Sequence, residues 1–405
     1  MMKRLIIYTL FALLMASCGR SNKDDHEIAK KIEGVPLMYD ASSTDFVVIN
    51  TQDVDVIEPS AYNTKISRIK YVGIQSKEPI GSIYQTLVND DYIYILDNQS
   101  EKIFIFSTDG KCINTIDARG GGPGEYVGLG TMCLSTDGQH LIVSDRLANR
   151  FLYFSLEGQF IKKTPGISGC FIESFNDMVL TQLAYGQSYS NQLEDNYQLI
   201  SAMGDSVINK AFPMYPIQKE MVNAKVLMKT SNSDVLVNPL CSDTVYQYVN
   251  KSEYTIKYVF KQPKSLWEKK MEESNLMEIA DLMRNAQYTS LRSPILDTER
   301  FLSYRIERME NGGTSFGSTC YFYDKVSGRS FTFGGGQNIS SLQQIIPSPE
   351  ALNHDFFVGR ISSTDVESFR KAMDVYNITI ENDALRSLLE SDVDWESIVV
   401  FYELK

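Results

Sequence analysis

Apolar residues in this chain fall into short runs rich in Tyr, Phe, Ile and Val, separated by Asp-Gly and Asn-Asp turns, a pattern of strands rather than of amphipathic helices. Phe46-Val47-Val48-Ile49-Asn50 is the first strand expected, and Tyr71-Val72-Gly73-Ile74 the second. Asn89 to Asp97 then reads as a turn leading into a strand, Lys102 to Phe106 as the next strand, and Ser107 to Lys111 as a hairpin turn into a third. The same order recurs in Thr136 to Asp145, Arg150 to Phe154 and Ser155 to Gln159. Asp97 and Asp145, Phe106 and Phe154, and Gly110 and Gly158 all keep one spacing of 48 residues.

A gap-free period of this length, holding several short strands, is the mark of β-propeller blades, whereas helical solenoids of similar period carry a helical pattern that is absent here. Further units are expected around Phe171 to Leu180 with Tyr197 to Ile200; around Val235 to Val237, Asp243 to Tyr248 and Tyr254 to Phe260; and around Arg300 to Glu307, Tyr321 to Asp324 and Phe331 to Phe333. Phe356 to Gly359 and Ser397 to Tyr402 complete the set. The expected fold is therefore all-β, a six-bladed β-propeller over residues 46–405, with small helical insertions at about 265–291 and 364–391. The last strand should pair with one near the N-terminus, because closing the ring removes exposed edges.

Between the first two repeats lies Ala118-Arg119-Gly120-Gly121-Gly122-Pro123-Gly124-Glu125-Tyr126, whose glycines and proline exclude helix and regular strand. A glycine-rich loop can cradle phosphate. Its position between two repeats makes it first a junction, with Glu125 and Tyr126 holding it in place and Arg119, Glu125 and Tyr126 as candidates to meet a ligand.

Composition sharpens the picture at the N-terminus. Lys3 and Arg4 precede the apolar run Leu5 to Met15, and Ala16 and Ser17 precede Cys18, so residues 1–17 read as a secretory signal too short to span a bilayer comfortably. The segment resembles the lipobox of bacterial lipoproteins, which implies a lipid on Cys18, with residues 18–45 as anchor and tether. Asp24 and Asp25 just behind it resemble the surface-export signal of Bacteroidota lipoproteins. Losing Lys3 and Arg4 from the 39 basic side chains leaves 37 against 51 acidic ones, a net of −14, which repels nucleic acid. Beyond Cys18, the singly placed Cys112, Cys133, Cys170, Cys241 and Cys320 form neither a disulfide framework nor a zinc site and read as small core residues.

Tyr92-Ile93-Tyr94-Ile95-Leu96-Asp97, Gly122-Pro123-Gly124-Glu125-Tyr126, Ser242-Asp243-Thr244-Val245-Tyr246 and the closing Val399-Val400-Phe401-Tyr402-Glu403-Leu404-Lys405 together resemble the six-bladed β-propeller lipoproteins of Bacteroidota, relatives in shape of the NHL-repeat propellers. That resemblance covers nearly the whole chain after the signal. It implies an architecture and hardly any activity.

For chemistry, the repeat-equivalent Asp97 and Asp145 could form an acid and base pair, although acids at equivalent turn positions more often cap those turns. Arg146 and Arg150 stand beside Asp145 and can pair with neighbouring carboxylates or meet an anion. With His26 in the tether, only His140 and His354 remain, too few for the His-rich site of a propeller lyase; no cofactor is expected, and the residues leave room only for Ca²⁺ on carboxylates and carbonyls. Ser107-Thr108-Asp109-Gly110 and Ser135-Thr136-Asp137-Gly138 lack the spacer and Trp of sialidase turns. The function expected is a non-catalytic binding or scaffold module for a glycan, peptide or partner protein, held at the outer membrane on its periplasmic or cell-surface face. The alternatives are a carboxylate-based glycosidase or lyase, and a subunit of a larger membrane complex docking through its helices.

Overall fold

The computed structural model describes residues 45–167, 169–183, 197–203, 206–213, 225–240, 242–250, 253–263, 265, 277–278, 289–310, 315–334, 341–342 and 344–405. Residues 1–44, with the expected signal, Cys18 and most of the tether, lie outside them, as does most of the 265–291 insertion.

The described chain is a β-propeller arrangement built on six sheets of four or five strands. In chain order of their innermost strands, sheet I holds Ile83–Val88, Tyr92–Asp97, Lys102–Ser107 and Cys112–Ile116, and sheet II holds Leu129–Leu134, Leu141–Asp145, Arg150–Phe154 and Phe160–Pro165. Sheet III holds Phe171–Phe175, Met178–Gln182, Tyr197–Met203 and Ser206–Pro213; sheet IV holds Leu227–Lys229, Val235–Val237, Thr244–Asn250 and Glu253–Lys261. Sheet V runs Thr289–Asp297, Phe301–Glu310, Ser315–Asp324, Arg329–Phe333, and sheet VI runs Pro349–Asn353, Phe356–Ser362, Ser397–Leu404, Ile66–Ile74. Each innermost strand touches the innermost strand of the next sheet, and sheet VI touches sheet I, so the series returns to its start around a central channel.

The physical reason lies in how the strands bury both faces. In Tyr92–Asp97, Ile93 and Ile95 pack into the cluster between sheets VI and I, whereas Tyr94 and Leu96 pack into the one between I and II. A strand buried on both sides reads as a continuous apolar run instead of an alternating one. Separate apolar clusters fill the remaining junctions from II–III round to V–VI.

Closure joins the two ends of the chain. Ile66–Ile74 pairs antiparallel with Ser397–Leu404, Ile398 opposite Gly73 and Val400 opposite Tyr71, as the closure argument expects. Ahead of it, Val47–Asn50 adds as a parallel fifth strand to the outer edge of sheet IV and Val54–Ile57 to that of sheet V, covering edges that would otherwise be open to pairing.

The expected 364–391 insertion is two helices, Ser363–Tyr376 and Asp383–Glu390. Ser362 and Asn382 cap them by accepting from the amides of Asp365 and Leu385. Val366, Leu385 and Leu389 are buried in the cluster shared by sheets V and VI, which makes the helices part of the core. The other insertion, expected to run to residue 291, ends earlier: Thr289 opens the innermost strand of sheet V, with Ser290 and Leu291 buried and Thr289 paired to Arg308. Arg292 and Pro294 hide that strand from a pattern reading, because they coincide with an irregularity in its pairing between Arg292 and Leu296.

Candidate functional site

The channel has two mouths, one where the innermost strands begin and one where they end. Most residues singled out from the sequence lie on the beginning side. Asp97 is fully buried, and its carboxylate accepts from the amides of Gly81 (2.8 Å), Ser82 (2.9 Å) and Gln99 (2.9 Å) and from the Ser100 hydroxyl (2.7 Å). Burial alone would raise its pKa, but these four donors outweigh burial and hold the carboxyl below the ordinary value. Asp145, also fully buried, accepts from the amides of Val127 (3.1 Å) and Gly128 (3.0 Å) and from Arg150 Nε (2.9 Å). Both aspartates thus clamp the segment that leads into the innermost strand of their own sheet. Their equivalence in sequence is an equivalence of this clamp.

The glycine-rich loop joins the last strand of sheet I to the first of sheet II. Tyr126 is fully buried; its amide donates to Ala118 O (2.8 Å), its carbonyl accepts from the Gly120 amide (2.9 Å), and its hydroxyl donates to the carbonyl of Glu101. Glu125 Oε2 accepts from the Gly122 amide at 2.7 Å, and Arg150 Nη2 donates to the Glu125 carbonyl at 2.9 Å. Arg119 is exposed and ion-paired with Glu101. Arg146 is exposed, and its Nε donates to Leu129 O at 3.1 Å. It also lies within electrostatic reach of Tyr84 and Cys170, beside the stacked rings of Tyr84 and Phe171, 5.9 Å apart across innermost strands of sheets I and III. Burial raises the Tyr84 phenol and pushes the Cys170 thiol up to about 12, so neither ionises at neutral pH.

The mouth where the strands end holds what the sequence did not point to. A cavity of about 420 Å³ opens there, walled by residues of all six innermost strands, mostly towards their ends, and by the turns after them. Glu173 of sheet III lines it, only 3% exposed and without a hydrogen-bond or ion-pair partner among the described residues. Lys229, the last residue of the innermost strand of sheet IV, and Lys225, just ahead of that strand, line it too. Lys229 Nζ donates to the Ser174 hydroxyl at 3.2 Å, and neither lysine has a carboxylate within ion-pair distance among the described residues. On the far wall Glu350 is ion-paired with Arg360, and His354 Nε2 meets Asp90 Oδ1 at 2.9 Å, linking the turns of sheets VI and I over the rim. The available signal was Glu173 itself, a carboxylate inside the apolar run Phe171-Ile172-Glu173-Ser174-Phe175.

Among the described residues no three or more His, Cys, Asp or Glu side chains are grouped to hold a metal ion. Cys112, Cys133, Cys170 and Cys320 are free thiols, the middle two buried. No described helix is long and apolar enough to cross a membrane.

The chain belongs to the family described as Domain of unknown function (DUF4934), whose model matches residues 48–403. Comparison with curated proteins gives no match. Among solved structures it is similar to a "Putative exported protein" from Bacteroides fragilis NCTC 9343, 16% identical over 89% of this chain and 100% of that one, with a TM-score of 0.64. It is also similar to a member of the DUF4221 family from Bacteroides vulgatus ATCC 8482, 11% identical over 84% of this chain and 97% of that one, TM-score 0.48. A streptogramin B lyase follows at 10% identity over 83% and 98%, TM-score 0.37. At such identities the first shows a shared fold, and the lower-scoring two add nothing to that.

Proposed function

We propose that this member of the DUF4934 family is an exported, lipid-anchored propeller of six blades, one per sheet, acting as a non-catalytic binding or scaffold module whose ligand sits in the mouth where the innermost strands end. The carrying observation is the cavity of about 420 Å³ on which all six innermost strands converge, a volume typical of small-molecule sites. Its wall mixes apolar side chains such as Leu87, Met228 and Leu296 with a few charged groups, the make-up expected of a site for a peptide, glycan or exposed segment of a partner protein. The six-blade count is supported by the six sheets and the returning series of innermost-strand contacts. Cys18 behind its apolar leader supports the anchoring, and with it a position at the outer membrane, facing the periplasm or the cell surface.

A screen of peptides and glycans against the protein, read as a ligand-dependent rise in melting temperature, tests the binding role. Binding without turnover is expected. Turnover of a bound polysaccharide or peptide, lost on replacing Glu173 or Glu350, would replace this reading with the enzymatic one. Mass spectrometry of the membrane-extracted protein should find acyl chains on Cys18, and Cys18→Ala should release the protein from the membrane fraction.

A further inference from the structure

The charges of the cavity wall narrow the ligand, on the premise that this mouth is the binding site. A carboxylate removed from water without a partner is costly, and proteins keep such a group where something else compensates it. Glu173 comes near this case, 3% exposed and with no partner among the described residues, its carboxylate keeping only slight contact with the cavity it lines. Of the other carboxylates on the rim and wall, Glu350 is engaged by Arg360, Asp90 by His354, and Asp137 by the Ser135 hydroxyl and the Gln139 amide, while Asp91 is exposed on the rim. Opposite in sign, Lys225 and Lys229 face the same cavity from the side of the neighbouring sheet, and all three charges act on the Cys133 thiol of sheet II. The Ser174 hydroxyl met by Lys229 Nζ is a neutral partner that itself donates to Leu134 O, so the ammonium charge stays uncompensated.

We infer that the cavity takes a zwitterionic ligand of amino-acid to short-peptide size, with its ammonium on the Glu173 carboxylate and its carboxylate on the Lys225 and Lys229 ammonium groups. The two ends of one ligand would complete three charges that the fold leaves open on two adjoining innermost strands and the residues leading into one of them, and charge-assisted hydrogen bonds of this kind are the stronger ones. A neutral glycan would cover all three charges without compensating any of them, and so would be disfavoured.

Calorimetric titration of the full chain at neutral pH tests this with L-alanyl-L-alanine and tri-L-alanine, their N-acetylated forms, their C-terminal amides, and cellobiose as a neutral disaccharide. A free peptide should bind, and blocking either end should weaken it about 10–100-fold, the range for one lost charged hydrogen bond. Glu173→Gln should weaken the free peptide by a similar factor and leave the N-acetylated form unchanged; Lys229→Met should do the same for the free peptide and the amide. Because the blocked ligands probe the same contacts without altering the protein, a variant that does not fold leaves the test intact. Equal binding of free and N-acetylated peptide overturns the assignment. Cellobiose binding that Lys229→Met weakens, with no peptide binding, overturns it and leaves the binding role of the mouth standing; no heat with any ligand here or in the wider screen counts against both.

Discussion

Arg68 and Glu403 stand directly opposite each other on the two strands that join the ends of the chain, with guanidinium Nε 2.7 Å from carboxylate Oε2. The Ser67 hydroxyl donates to the same oxygen at 2.6 Å. Arg68 first and Ser67 second hold the Glu403 carboxyl below its ordinary value. A carboxyl depressed in the folded state adds stability above its unfolded pKa and loses it as pH falls through the folded value. Melting temperatures measured from pH 7 down to pH 3 should therefore fall less steeply for Glu403→Gln than for the parent. Arg68 is largely exposed, so the difference should also shrink in high salt. Identical acid slopes would show that the pair does not contribute to closure.

Asp97 serves four donors from one buried position, so its loss should cost more than the loss of a surface acid. Asp97→Ala leaves the Gly81, Ser82 and Gln99 amides without their acceptor, at about 1–3 kcal/mol for such a loss. Asp145→Ala should destabilise through the same clamp in sheet II, and it additionally leaves Arg150 without its carboxylate. Because Asp97 is held below its ordinary value, its contribution is present at neutral pH and lost on acidification. Chemical unfolding at pH 7 measures each cost, and an Asp97→Ala midpoint equal to the parent's would refute the clamp.

The second and third strands of sheets I and II were legible because burial on both faces makes them continuous apolar runs, and the repeat fixed their spacing. Apart from Phe171–Phe175 of sheet III, which falls in the expected unit Phe171 to Leu180, the innermost strands were not. They line the channel and carry Gln85, Thr86, Gly130, Thr131, Glu173, Lys229 and Glu350, which dilute the apolar signal until a strand looks like a loop. Gln85 shows what such a residue does: its side-chain amide exchanges two hydrogen bonds with the backbone of Met132, tying the innermost strands of sheets I and II together. The same dilution hid the candidate site, whose charged residues sit on the strands least visible to pattern. Asp97, Asp145 and Tyr126 stood out because repeats and glycine-rich turns are conspicuous, and these residues turn out to be occupied by the backbone around them. What the sequence could not convey is which polar groups of a repeat are answered by the chain itself.

The two helices after sheet VI test whether an amphipathic insertion is core or docking surface. Leu385 is fully buried among Ile398, Val400 and the rest of the sheet V–VI cluster, and Arg370 ties the helices together by donating to the carbonyls of Leu389, Ser391 and Val393, each at 2.8 Å. Leu385→Ala should cost about 2–5 kcal/mol, the range for a leucine truncated in a packed core. A cost below about 0.5 kcal/mol, as for a surface change, would reopen the docking role.

Three turns share a Ser-x-acid-Gly pattern, and their glycines separate two costs that are usually confounded. Gly110, Gly138 and Gly158 all adopt left-handed backbone, with φ of 91°, 70° and 86°. A Cβ on Gly138 would meet nothing within 4 Å, whereas one on Gly110 would lie 2.3 Å from the Gly73 carbonyl oxygen of sheet VI. The close approach at Gly110 arises because its turn docks on the closing strand, where Lys70 Nζ also donates to Thr108 O at 2.8 Å. Gly138→Ala should therefore cost only the backbone preference, about 1 kcal/mol. Gly110→Ala adds a clash against backbone that cannot rotate away, and should cost clearly more while loosening the junction between sheets VI and I. Denaturant midpoints for the two variants, compared with amide exchange along Ile66–Ile74, measure this; equal costs with unchanged exchange would show that the turn does not brace the closure.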